Sequence, residues 1–256
     1  MKLNYQMYGD GAPLIVLHGL FGMLDNWHTV GKKLGEHFRV FAVDQRNHGR
    51  SPHSPELNYS VMANDIRDFA QQLRLPSFFL LGHSMGGKVA MATALTYPVI
   101  VEKLIVIDIA PRSYPAFHDV IIEALISLNL SSYSSRKEID IALSARIPEI
   151  PIRQFLMKNL TRDDNGSFHW KMNLPVIACQ YSNILKGIES DTAYRNPALF
   201  IKSTKSSYVA QSDTAEIKRL FPNTAFVDFE TGHWIHAESP EKLTETVTRF
   251  LLSRTV

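Results

Sequence analysis

Short apolar runs recur along the chain, spaced widely enough to leave a helix between them. They occupy residues 14–19 (LIVLHG), 39–44 (RVFAVD), 78–82 (FFLLG), 103–108 (KLIVID), 198–202 (ALFIK) and 225–229 (AFVDF). Each is too short for a helix and rich in Val, Ile, Leu or Phe, and little polar alternation breaks it. Such runs fit strands buried on both faces, which is the state of a parallel sheet covered by helices. One intervening stretch, 59–75, places Val61, Met62, Ile66, Phe69 and Leu73 on one side at helical spacing, with Asp65, Arg67, Asp68 and Gln72 elsewhere. The order predicts an α/β chain with a mostly parallel central sheet flanked by helices.

The alternation lapses over residues 112–195. Helical patterns such as FHDVIIEALISL and PIRQFLMKNL appear there, followed by aromatic-rich FHWKMNLPVIACQY, with no convincing buried strand. That stretch reads as a mainly helical cap, leaving the sheet after 103–108 and returning at 198–202. The predicted organisation is a core of residues 1–111 and 196–256, with a cap of residues 112–195.

Composition narrows the function. The 256 residues are 45% hydrophobic, enough for one large core, and 27 Lys+Arg against 25 Asp+Glu give a net charge of +2. No run of like charge could track a phosphate backbone, so nucleic acid is a poor partner. The first residues lack the apolar core of a secretory leader, and no segment approaches the ~18 apolar residues of a membrane span. A cytoplasmic protein is expected. Cys179, the only cysteine, excludes an internal disulfide and a multi-cysteine metal site, and is expected to be a small buried hydrophobe. The histidines are too scattered for a spaced ligand set, so neither metal nor cofactor is expected. No heptad or long amphipathic seam appears, and a monomer is the default.

Chemistry concentrates at Gly82-His83-Ser84-Met85-Gly86, a G-x-S-x-G between a strand and a helix pattern. A strand that turns sharply into a helix lifts Ser84 Oγ out of the sheet top, and glycines at 82 and 86 leave room for the turn. The N–H of Met85 then lies at a helix N-terminus, where an anionic oxygen is favoured. His18-Gly19-Leu20-Phe21-Gly22 follows directly on another strand, the place for a second oxyanion donor, the N–H of Phe21 or Leu20. A glycine turn explains the glycines but not the pairing of the two motifs.

The ordered set HGLFG, DQRNHGRS (44–51), GHSMGG and TGHW (231–234) resembles the α/β-hydrolase superfamily over essentially the whole chain, nearest its small bacterial esterases and acyl thioesterases. The resemblance implies an α/β-hydrolase fold with the cap inserted after its sixth strand. It also implies that Asp44 and Arg46 hold loops together by an ion pair rather than perform chemistry.

A serine hydroxyl needs a base. His233 lies in the short loop after 225–229, late in the chain as the order Ser, acid, His requires. His236 is its competitor, whereas His18 reads as a support for the oxyanion loop, and His83 flanks the serine and points elsewhere. The acid departs from the commonest pattern of the superfamily, since the loop 202–209 (KSTKSSYV) holds no carboxylate and Asp213 lies beyond it as a helix cap. Asp108 ends an apolar run, where a carboxylate is costly unless paired, and it matches an acid position some superfamily members use. Asp108 is therefore assigned to orient His233. By resemblance to the esterase branch, Ser206 supports this pair, with Ser207 as rival.

These residues predict a serine hydrolase of carboxylic esters or acyl thioesters acting through an acyl-enzyme, on a small-molecule substrate. The cap would select the substrate through apolar residues among Phe155, Leu156, Phe168, Trp170 and Ile177, or most of these simply pack the cap on the core; Trp234 is a further pocket candidate. Arg153 and Lys158 could meet the phosphates of an acyl-CoA, or form a solvated helix face. The alternatives are an acyl-CoA-specific thioesterase, a cofactor-free perhydrolase, a lyase using the same triad and a non-catalytic small-molecule receptor.

Overall fold

Along the second strand, Leu14 and Val16 pack into one apolar cluster and Ile15 and Leu17 into another, all of them buried. Both faces of the sheet are covered, so the run needs no polar alternation. The computed structural model describes residues 1–253; the last three residues assigned to the core, 254–256, lie outside the described residues. In chain order the elements are β1 (Tyr5–Tyr8), β2 (Ala12–Leu17), α1 (His28–Leu34), β3 (Phe38–Val43), α2 (Tyr59–Gln72), β4 (Phe78–His83), α3 (Met85–Thr96) and β5 (Val101–Ile107). The insertion follows with α4 (Asp119–Ile126), α5 (Arg136–Ser144), α6 (Ile150–Met157), β6 (Leu160–Arg162), β7 (Phe168–Trp170), α7 (Leu174–Cys179) and α8 (Tyr181–Leu185). The core resumes with β8 (Ala198–Ser203), α9 (Thr214–Leu220), β9 (Thr224–Phe229), α10 (Ile235–Glu238) and α11 (Pro240–Leu252).

The seven-stranded sheet runs β1-β3-β2-β4-β5-β8-β9, with β1 antiparallel to β3 and the other neighbours parallel. Val30 and Leu34 of α1 and Leu243, Val247 and Leu251 of α11 cover one face. Met62, Ile66 and Phe69 of α2 and Val89 and Met91 of α3 cover the other. Burying each such side chain contributes about 1.5–3 kcal/mol before the entropy cost of ordering it. Asn58 starts α2 by accepting from the Val61 N–H at 3.0 Å.

Two features differ from the sequence reading. The strand β1 was not expected, because its edge position leaves Tyr5, Gln6 and Met7 exposed and apolar burial does not mark it. The insertion also holds a small antiparallel hairpin, β6–β7, of three-residue strands too short to leave a pattern. It departs from β5, the run 103–108 after which it was expected, here the fifth strand in chain order. Among the described residues no helix is long and apolar enough to cross a membrane.

The strand order places the site. After β2 the chain steps to one side to form β3, then returns across to form β4 on the other. The crevice at the carboxyl ends of β2 and β4 is therefore a topological switch point, where open α/β sheets bind ligands. Gly19 follows β2 and Ser84 follows β4.

Candidate active site

Ser84 sits between β4 and α3 with φ 54° and ψ −120°, a conformation that non-glycine residues adopt at a cost of about 1–3 kcal/mol. The turn is this tight because a Cβ on Gly82 would lie 2.1 Å from the Gly86 carbonyl oxygen, and one on Gly86 would lie 2.5 Å from that of His18. Among the described residues five non-glycine residues have positive φ, and three of them, Phe21, Ser84 and Asp108, meet at this crevice. Strain is thus stored where the loops after β2, β4 and β5 converge.

Asp108 is 0% exposed, and its carboxylate is fully engaged. Oδ1 accepts from the Ser203 N–H at 2.9 Å, and Oδ2 accepts from the Ser206 hydroxyl at 2.6 Å and from His233 Nδ1 at 2.8 Å. Ser206, not Ser207, reaches the acid. With its proton on Nδ1, the imidazole leaves Nε2 as an acceptor facing the cavity that Ser84 also lines. No hydrogen bond joins Ser84 Oγ to the ring among the described residues. The loop carrying His233 is tied down by the Gly232 N–H donating to Glu238 at 2.7 Å, the Ser203 hydroxyl donating to the Thr231 carbonyl, and His83 Nε2 donating to the His233 carbonyl at 2.9 Å. Tyr208, which the sequence reading passed over, stacks on the His233 ring at 3.9 Å between centroids.

Among the described residues the backbone N–H groups of Met85 and Leu20 have no partner, and both residues border one cavity with Ser84. Phe21, named first as donor, is differently engaged: its N–H donates to His48 Nε2 at 3.3 Å. His48 Nδ1 donates to the Arg46 carbonyl at 3.0 Å, which fixes the tautomer that accepts from Phe21. Burial, helped by neighbouring His18, pushes the His48 pKa down to about 3, so the ring is neutral. His18 is likewise pushed down to about 4 by burial. It donates from Nδ1 to the Gly19 carbonyl at 2.8 Å and accepts the Gln45 N–H at 3.0 Å. Two neutral histidines therefore shape the loop that presents the Leu20 N–H.

The other sequence-predicted residues divide. Phe155 and Trp234 face each other at 5.5 Å between ring centroids and line the cavity, of about 580 Å³, that opens above Ser84. Trp170 does not line it; the β6–β7 hairpin packs this side chain against the core. Phe168 and Ile177 are also buried packing residues. Arg153 forms no solvated face: Nε pairs with Asp140 at 2.9 Å, and Nη1 donates to the Ile147 and Pro148 carbonyls. Cys179 is exposed rather than buried, because it falls on the outer side of the short α7. Asp44 and Arg46 do not pair with each other. Arg46 makes a bidentate bond to Asp65, buried within α2, whereas Asp44 accepts the Leu24 and Arg50 N–H groups. Asp213 accepts from the Ala210 N–H at 2.8 Å and pairs with Arg112, away from His233. His236 stacks on Trp27 inside α10.

The fold and this crevice define the class, and residues 12–165 match the family described as alpha/beta hydrolase fold; the chain belongs to that family. It is 38% identical to the sn-1-specific diacylglycerol lipase ABHD11 of Danio rerio, over 98% of this chain and 83% of that protein. It is 34% identical to Esterase YbfF of Escherichia coli, over 98% and 99% of the two chains. A solved structure described as "Marine microorganism esterase" shares 40% identity at a TM-score of 0.96, over 98% and 99% of the chains. These relatives bear esterase and lipase names, which supports a hydrolase.

Proposed function

We propose that the protein is a serine carboxylesterase working through an acyl-enzyme. The observation that carries this reading is the bond from His233 Nδ1 to the fully buried, three-times-bonded Asp108, beside a serine held at a strained elbow. Ser84 Oγ attacks the ester carbonyl while His233 Nε2 takes its proton. Asp108 holds the imidazole in the required tautomer and stabilises the imidazolium. The oxyanion that forms receives the free N–H groups of Met85 and Leu20. Collapse expels the alcohol, protonated by His233, and water activated by the same ring then releases the acid.

Esters are favoured over acyl-CoA thioesters by the charge of the large cavity. Its charged lining residues are Glu149 and Glu238, with no Lys or Arg among them, and Arg153 is occupied inside the insertion. A polyphosphate tail would meet repulsion there. The test is turnover of p-nitrophenyl esters and acyl-CoA thioesters of graded chain length by the purified protein and by Ser84→Ala. Ester turnover that the variant loses is the expected result. Equal turnover in both proteins contradicts the reading.

A further inference from the structure

Ser84 borders a second cavity, of about 40 Å³, lined by Leu20 and Met85 but not by His233. One turn along α3, Lys88 reaches into its wall and is 1% exposed. Its ammonium donates to the Lys186 carbonyl at the end of α8 and lies over the rings of Tyr114 at 4.8 Å and Tyr59 at 5.4 Å. Neither phenol has a proton to spare for a ligand, since Tyr59 donates to the Ile184 carbonyl and Tyr114 to the Tyr208 carbonyl. Among the described residues no carboxylate pairs with Lys88, and the neighbouring charge is the like charge of Arg112. Burial, followed by that repulsion, holds the lysine down to about 7. A buried ammonium carries three donors, and an uncompensated charge in this setting is costly.

The two cavities divide a substrate. His233 must protonate the leaving oxygen, so the alcohol lies on its side, in the large cavity. The substituent on the acyl carbon then points into the small one. A buried site needs roughly 10–15 Å³ of such volume per water, so the small cavity has room for about three or four non-hydrogen atoms. That excludes a long acyl chain.

We propose that the small cavity is an acyl subsite in which Lys88 receives a carboxylate, making half-esters of short dicarboxylic acids the preferred acyl class. The proposal rests on Ser84 being the nucleophile. An incoming carboxylate completes the donor set of Lys88 and supplies the missing counter-charge, and one methylene between it and the ester carbonyl keeps the group within about four non-hydrogen atoms.

The experiment compares benzyl hydrogen malonate with benzyl 3-methylbutanoate, in which an isopropyl group replaces the carboxylate at nearly equal size. Release of benzyl alcohol gives kcat/KM for each, and the ratio of the two is the readout. Hydrogen bonds to charged groups predict a ratio of at least about tenfold in favour of the half-ester, and a drop of the same order in Lys88→Met. Wild-type protein that hydrolyses the neutral ester but disfavours the half-ester overturns the subsite while leaving the role of Ser84 intact. Failure on both esters overturns the reading of Ser84 and the subsite with it. A Lys88→Met protein with both rates lowered and the ratio unchanged shows that Lys88 only pins the insertion. The wild-type comparison decides the matter if that variant does not fold.

Discussion

The loops at the top of the sheet and the insertion above them use their side chains in opposite ways. In the loops, Phe21, Ser84 and Asp108 hold left-handed backbone conformations, and Asp108, His18 and His48 are buried with their hydrogen bonds made inside the core. The insertion turns Phe117, Ile121, Ile152, Phe155 and Leu156 toward Ser84 and spends its buried guanidinium, Arg153, on its own loops. It is tied to the core by both backbone and side-chain groups: the Ile188 N–H donates to the Pro111 carbonyl, the Asn173 N–H to the Asn47 carbonyl at 2.8 Å, and the Asn159 side-chain amide to the Phe21 carbonyl at 2.7 Å. In the function proposed above, reactivity falls to the core, and the insertion supplies much of the wall of the alcohol pocket.

Asp108→Asn should break the core half of this contrast most severely, lowering kcat by about 10⁴ as an orienting acid does, whereas Asp213→Asn changes it less than about twofold. Steady-state kinetics on one p-nitrophenyl ester distinguishes them, and near wild-type turnover in Asp108→Asn ends the assignment. A change in the insertion should read differently. Phe155→Ala removes the ring facing Trp234 and is expected to raise KM for bulky alcohol esters by about tenfold, with a smaller effect on kcat; a fall confined to kcat would put Phe155 in the wrong half.

Smaller effects refine the core. Ser206→Ala removes one of three hydrogen bonds to Asp108, each worth about 1 kcal/mol, and should lower kcat about fivefold. No change would mean that Ser203 and His233 alone hold the carboxylate. Stability should carry the signature of the buried neutral histidines. His18, His48 and His236 have pKa values near 4, 3 and 3, all lowered chiefly by burial from the ordinary 6.5. Below pH 6.5 the unfolded chain takes up protons that the folded chain refuses. Their contribution is therefore complete above that pH and is lost as pH falls toward 4, at about 1.4 kcal/mol per pH unit for each ring. Urea unfolding between pH 7 and 5 should show this slope, about one proton shallower in His48→Gln. A flat profile contradicts it.

The strands of the sheet were legible because burial on both faces leaves apolar runs, and the elbow because its glycines and serine are contiguous. Asp108 stood out since a carboxylate at the end of KLIVID requires a partner. What escaped depended on contacts between distant segments. Leu20 and Phe21 look equivalent in HGLFG until His48, on the loop after β3, takes the Phe21 N–H. Arg46 pairs with Asp65 rather than with its neighbour Asp44 because α2 carries that aspartate inward. A three-residue hairpin strand sets the direction of Trp170, and Tyr208 stacks on His233 only because the loop after β8 folds back over it. No local pattern encodes those placements.

The central claim is that Ser84 carries the acyl group. Acid-quenching the protein during turnover of a p-nitrophenyl ester and mapping its peptides by mass spectrometry tests that directly. The account predicts one acyl adduct, on the peptide containing Ser84, absent from Ser84→Ala. Sustained turnover with Ser84 unmodified, or an adduct on another residue that persists in Ser84→Ala, would contradict it.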